Sequence, residues 1–199
     1  NTPSLIPMAK REALQELQIR IAKRLEQTET QSAATASWLG VRLGQQKILL
    51  PLQHSGEIHA VEGIHSLPYT LPWFVGVATL RGQIYGVVEL AAFLPHISEQ
   101  PANATANPKQ RLVAINEAFG LNVMLRVDEL EGLRSQEAFI RSEPAPHDAP
   151  AYYGNLFYDA SNTAWQEINL QALVQTPQFL NINTHPDPAP EALPLLTGV

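Results

Sequence analysis

Leu14, Leu17, Ile21 and Leu25 recur at the spacing that lines one face of an α-helix, which predicts an amphipathic helix over residues 8–27. Pro7 suits its first turn, where the missing N–H costs nothing, and Glu16 stands one turn before Arg20 on the opposite face. Residues 27–37 are rich in Thr, Ser, Gln and Ala, show no apolar periodicity, and read as a linker.

From Trp38 the period changes to two. Residues 38–43 and 48–52 alternate as strands around a Gly44-Gln45-Gln46 turn, and residues 58–61 continue the pattern. Pro68 and Pro72 break the ladder and predict an irregular connection. Residues 74–80 and 84–90 read as strands flanking a hairpin turn, Arg81-Gly82-Gln83, and their glycines predict bulges or close backbone approach. Residues 95–110 read as a polar loop. Strands resume at 112–116 and 121–127 around a turn at 116–120, and residues 142–151, with Pro144, Pro146 and Pro150, read as a second loop. Residues 162–182 form a last ordered block that carries Trp165, Ile168, Leu170, Leu173, Val174, Phe179 and Leu180. After Thr184 four prolines and few apolar residues predict a tail that does not fold by itself. The expected organisation is a helix and linker over 1–37, one mainly β domain of small barrels over 38–183, and a Pro-rich tail over 184–199.

Composition narrows the function. The chain has 199 residues and no Cys, which removes disulfides, thiolate metal sites and a Cys nucleophile, and fits a reducing cytoplasm. A net charge of −6 argues against a binder that tracks phosphates. Cations interleaved with acids in the first thirty residues leave no signal-peptide core, and no apolar run approaches the roughly 18 residues of a membrane span. A cytoplasmic protein without membrane insertion is expected.

Catalytic patterns are missing. There is no G-x-G-x-x-G, no Walker-type loop and no G-x-S-x-G elbow. Ser55 follows His54, but neighbouring strand residues point to opposite faces and cannot act as nucleophile and base. His54, His59 and His65 lack the helical spacing that puts two imidazoles on one metal. Asp128, Glu129 and Glu131 read as a solvated turn. No enzyme, cofactor or metal is expected. Two charges stand out by their apolar neighbours: Glu57 before Ile58, and Arg81 between Leu80 and Gly82. They are either exposed strand-end charges or an ion pair across adjacent strands, partly buried, that presents a guanidinium to a partner.

The middle of the chain resembles the CheW-like family of chemotaxis coupling proteins. Leu50-Pro51-Leu52 followed by Ser55-Gly56-Glu57-Ile58 is similar to that family's strand leading into a Val-x-Glu-Ile element. Pro72-Trp73-Phe74-Val75-Gly76-Val77-Ala78-Thr79-Leu80-Arg81-Gly82, with the apolar strand that follows, resembles its most diagnostic stretch. Gln110-Arg111-Leu112-Val113-Ala114-Ile115 and Val127-Asp128-Glu129-Leu130-Glu131-Gly132 look like its later strands. The N-terminal helix and the block ending in Phe179-Leu180 look most like the PilI branch, which serves type IV pilus (twitching motility) chemosensory systems. The resemblance implies a mainly β fold of two small intertwined SH3-like β-barrels with a shared core. It implies a non-enzymatic adaptor that joins the tip of a methyl-accepting chemoreceptor to the regulatory domain of a CheA-type histidine kinase. It places Glu57, Gly76 and Arg81 at or beside the partner surfaces, with Val75 and Ile58 as neighbours. Three positions depart from the pattern. Glu89 stands for the family's Asp, Ser55 for its Val, and Gly86 for a frequent Pro, which predicts a looser strand. The rival readings are a small barrel that binds nucleic acid and a ligand-binding barrel.

Overall fold

A computed structural model describes residues 36–94 and 107–183. The helix expected at 8–27, most of the linker, most of the 95–110 loop and the tail after 183 lie outside them. The described residues make eleven strands: β1 Ala36–Leu43, β2 Gln46–Pro51, β3 Ser55–Ala60, β4 Phe74–Leu80, β5 Gln83–Glu89, β6 Arg111–Ile115, β7 Val123–Val127, β8 Glu129–Ser135, β9 Phe139–Glu143, β10 Tyr153–Asp159 and β11 Ala164–Ile168. Three short helices join them: α1 Leu90–Phe93, α2 Leu170–Val174 and α3 Pro177–Leu180.

The strands form two sheets, ordered β8-β1-β2-β11-β10-β9 and β3-β6-β7-β5-β4. The chain begins in the first sheet, builds the whole second sheet, then returns to complete the first. Both sheets contain a parallel pair, β2 with β11 and β5 with β7, made by strands far apart in sequence. Both also curl. Trp38 on β1 meets Phe139 on β9, ring centroids 5.9 Å apart, although the sheet order separates those strands. In the second sheet the segment after β3 reaches β4, where His65 and Val77 exchange backbone hydrogen bonds of 2.8 and 2.9 Å. Each curled sheet encloses its own apolar core: Trp38, Leu49, Phe157 and Trp165 in the first, Ala78, Tyr85, Val87, Leu112, Ala114 and Met124 in the second. A third and larger core lies between them. It joins Leu39, Val41, Ile48 and Leu50 to Val88, Val113, Leu125 and Val127, with Leu173 and Phe179 from the last helices. Alternation explains the division, because successive side chains of one strand feed different cores. The mainly β fold of two intertwined units stands as expected.

Several local expectations change. Ala36 and Ser37 are strand rather than linker. Ser142 and Glu143 close β9 rather than open a loop, and the turn after β4 has only Arg81 and Gly82 between paired residues. Glu129 and Glu131 are no solvated turn. They lie on β8, where Arg42 pairs with both, Lys47 with Glu131 and Lys109 with Glu129. Gly86 does not loosen its strand. It stands in register with Val77 on one side and Val123 on the other, and its N–H donates to Asn122 at 2.9 Å, a bond a proline could not make.

Candidate partner-binding site

Arg81 and Gly82 are the two central residues of the β4–β5 hairpin, with φ of 50° and 79°. Positive φ at both positions is the mark of a type I′ turn, which matches strand twist and favours Asn, Asp or Gly. An arginine there holds a conformation that costs on the order of 1 kcal/mol against those residues. Its guanidinium meets Glu57 of β3 at 2.8 Å. β3 and β4 sit at opposite ends of the sheet order, so the pair bridges the rim where the curled sheet closes, not two hydrogen-bonded neighbours. Nor is it partly buried, since the side chains are 73% and 50% exposed. Water screens such a pair, and its geometry orients the guanidinium more than it stabilises the fold.

Glu57 also stands 3.4 Å from His59, whose Nε2 is buried without a hydrogen-bond partner. Below the pair lies a cavity of about 480 Å³, walled by Ser55, His59, Tyr85, Asn116 and Glu117 among others. It is a polar-rimmed hollow rather than an apolar groove. Ile58, 42% exposed, follows Glu57 on β3 without walling the hollow, and Ile84, 66% exposed, lies beyond the hairpin turn.

Gly76 and Val75 belong elsewhere. Arg81 lies five steps along the chain from Gly76, about 16 Å on an extended strand. Gly76 is buried with φ 146°, and a Cβ there would stand 2.7 Å from the His65 carbonyl carbon and 2.9 Å from Ser66 Cα. The glycine lets the 61–73 segment lie against β4. Val75 is half-buried against the second core. The structure therefore brings Glu57 and Arg81 together at one rim, leaves Ile58 next to Glu57 along β3, and holds Val75 and Gly76 at the other end of β4.

Sequence reasoning missed two charged features. Glu89, treated as a longer Asp, is only 4% exposed and pairs with Arg126, its register partner on the parallel strand β7. Burial pushes its carboxyl above the ordinary range, while Arg126 pulls it back. Two opposite charges inside two apolar strands were the available signal. The other is Glu167, half-buried on β11, whose carboxylate accepts the Trp38 indole N–H at 2.7 Å. No motif marked it.

A CheW-like domain model matches residues 37–177, which spans both sheets and the rim. The chain belongs to the CheW-like family, the scaffold class of chemotaxis signalling. Among its relatives is Protein PilI of Pseudomonas aeruginosa, 27% identical over 157 residues, covering 76% of this chain and 84% of that protein. The fold is shared with the scaffolding protein TtCheW from Thermoanaerobacter tengcongensis, at a TM-score of 0.59 and 18% identity over 72% of this chain and 94% of the other. Among the described residues no helix is long and apolar enough to cross a membrane.

Proposed function

We propose that the protein is a non-catalytic, cytoplasmic adaptor that joins the tip of a methyl-accepting chemoreceptor to the regulatory domain of a CheA-type kinase, in a chemosensory system controlling type IV pili. The family and the likeness to a PilI protein support this reading. The observation that carries it is Arg81. An exposed arginine occupies a left-handed turn position that disfavours it, and its guanidinium is paired with Glu57, which precedes exposed Ile58 on β3. Arginine beside an apolar contact is a frequent anchor at protein interfaces, and a pre-oriented guanidinium loses less side-chain freedom on docking. Glu57, Ile58 and Arg81 make the direct contacts, while Val75 and Gly76 act by holding β4 and the 61–73 segment in place. Coupling then means that free energy of binding at one surface biases the arrangement at the other.

Calorimetry of the full chain with the regulatory domain of a CheA-type kinase from its own organism tests this. Binding is expected, weakened about tenfold or more in Arg81→Ala if the arginine is an anchor. Absence of binding with both proteins folded defeats the proposal.

A further inference from the structure

Gln53 and His54 carry the chain from the first sheet into the second, and a cavity of about 470 Å³ opens beside them, away from the Glu57–Arg81 rim. One wall is the Glu167 carboxylate, fixed on both oxygens: the Trp38 indole N–H donates to Oε1 at 2.7 Å and the Asn155 backbone N–H to Oε2 at 3.3 Å. Gly154 leaves the room it needs, since a Cβ there would stand 3.0 Å from the carboxyl carbon. Yet the described residues bring no lysine, arginine or histidine within ion-pair distance of Glu167. Each carboxylate oxygen can accept a second hydrogen bond. His54 also lines the hollow, its ring edge-on to Phe119 at 5.3 Å and its Nδ1 buried from solvent. Burial holds this imidazole below its ordinary range, with Glu167 pulling the other way, so the ring is neutral at pH 7 and keeps one lone pair.

A half-buried carboxylate locked by two donors on the wall of a hollow, with a neutral imidazole rather than a cation beside it, keeps lone pairs free for further donors and a positive charge. We propose that this cavity binds a single organic cation, a guanidinium or ammonium group, which donates to the free lone pairs of Glu167. The group is carried either by an arginine or lysine side chain or by a free small molecule. Glu167 is less exposed than Glu57, so its charge-assisted bonds to a cation are less screened than those at the rim. The binding is independent of the kinase and receptor reading.

The test is a titration of the full chain followed by NMR at the Trp38 indole N–H and the Asn155 amide, the two donors that touch Glu167. Ethylguanidinium is one probe and neutral ethylurea its control. A Gly-Ser peptide with one arginine is the other probe, with citrulline in place of arginine as its control. Saturable shifts of both signals by a cationic probe and none by its neutral partner are expected, with affinity about tenfold or more weaker in Glu167→Gln. Glutamine can still accept from Trp38, so that variant keeps the wall, and Glu167→Asp provides a second variant that withdraws the charge without removing it. Tighter binding of the peptide identifies a side chain as the source, and equal binding a free cation. Shifts that do not saturate, that appear equally with the neutral probes, or that persist unchanged in both variants overturn the proposal.

Discussion

Gly76→Ala separates a structural glycine from a contact residue. The added methyl would collide with the backbone of His65 and Ser66, at 2.7 Å from a carbonyl carbon and 2.9 Å from a Cα, and neither is the end of a flexible side chain. Alanine at φ 146° also sits where only glycine is at ease, a strain of about 1–3 kcal/mol. Relieving the collision means moving the 61–73 segment away and giving up the two hydrogen bonds between His65 and Val77, each worth about 0.5–1.5 kcal/mol net. Together these give a loss of about 2–6 kcal/mol, a large share of the 5–15 kcal/mol typical of a domain. Urea denaturation of the full chain reads it directly, provided the slope m stays that of wild type. Gly82→Ala is the internal control: its φ is 79° but nothing lies within 4 Å of a Cβ, so it bears strain without collision. A Gly76→Ala loss no larger than that of Gly82→Ala, with the His65 and Val77 amides as protected from exchange as in wild type, would refute the reasoning.

Arg81→Ala and Glu57→Gln in a double-mutant cycle should couple by no more than about 1 kcal/mol in stability, because the pair is exposed, while kinase binding by calorimetry falls far more. Arg126→Ala should cost about 3–5 kcal/mol in a thermal or urea melt, since it leaves the buried Glu89 without its partner. Burial, with Tyr152 beside it, pushes the Tyr153 hydroxyl from 10.0 up to about 12, so the folded chain keeps a proton that the unfolded chain gives up. The resulting stabilisation is whole below pH 10.0 and lost as pH rises through about 12; Tyr153→Phe should flatten the fall of the urea midpoint across that window.

Strands with one clean apolar face were legible in the sequence, and strands without one were not. β1, β2 and β4 to β7 alternate or run apolar because one or both of their faces meet a core. β8 and β9 are the two outer strands of their sheet, so their sequences, ELEGLRS and FIRSE, show little of a buried face. The acids of β8 point to Arg42, Lys47 and Lys109, partners visible only once β1, β2 and the segment before β6 are in place. The site divided the same way. Glu57 and Arg81 drew attention because charges flanked by apolar residues are unusual, but their geometry depended on how the sheet closes. Gly76 could be read as a glycine in a strand, not as the seat of His65. Glu89 and Arg126 became a pair only through the parallel register of β5 and β7.

That register bears on how such a scaffold can transmit anything. The chain places β1 and β2 first, yet β2 has no partner on its second edge until β11 arrives, after the whole second sheet has been made. β5 likewise waits for β7. Neither sheet completes itself from local sequence, and the core between them draws apolar residues from both. A slip of one residue in either parallel pair would send each side chain of the slipped strand towards the wrong core, and a slip between β5 and β7 would also strand Glu89 from Arg126. Loosening one unit therefore opens the other, which leaves little room for one sheet to flex alone while its neighbour stays intact. Residues 51–54 line one cavity and residues 55–57 the other, so the β2–β3 crossing runs from one to the next. A partner docked at the rim and a group held beside Glu167 would thus press on adjoining stretches of one backbone segment, set between well-packed cores. A body built in this way acts by the relative placement of what it holds, and that is the physical basis for reading it as a connector.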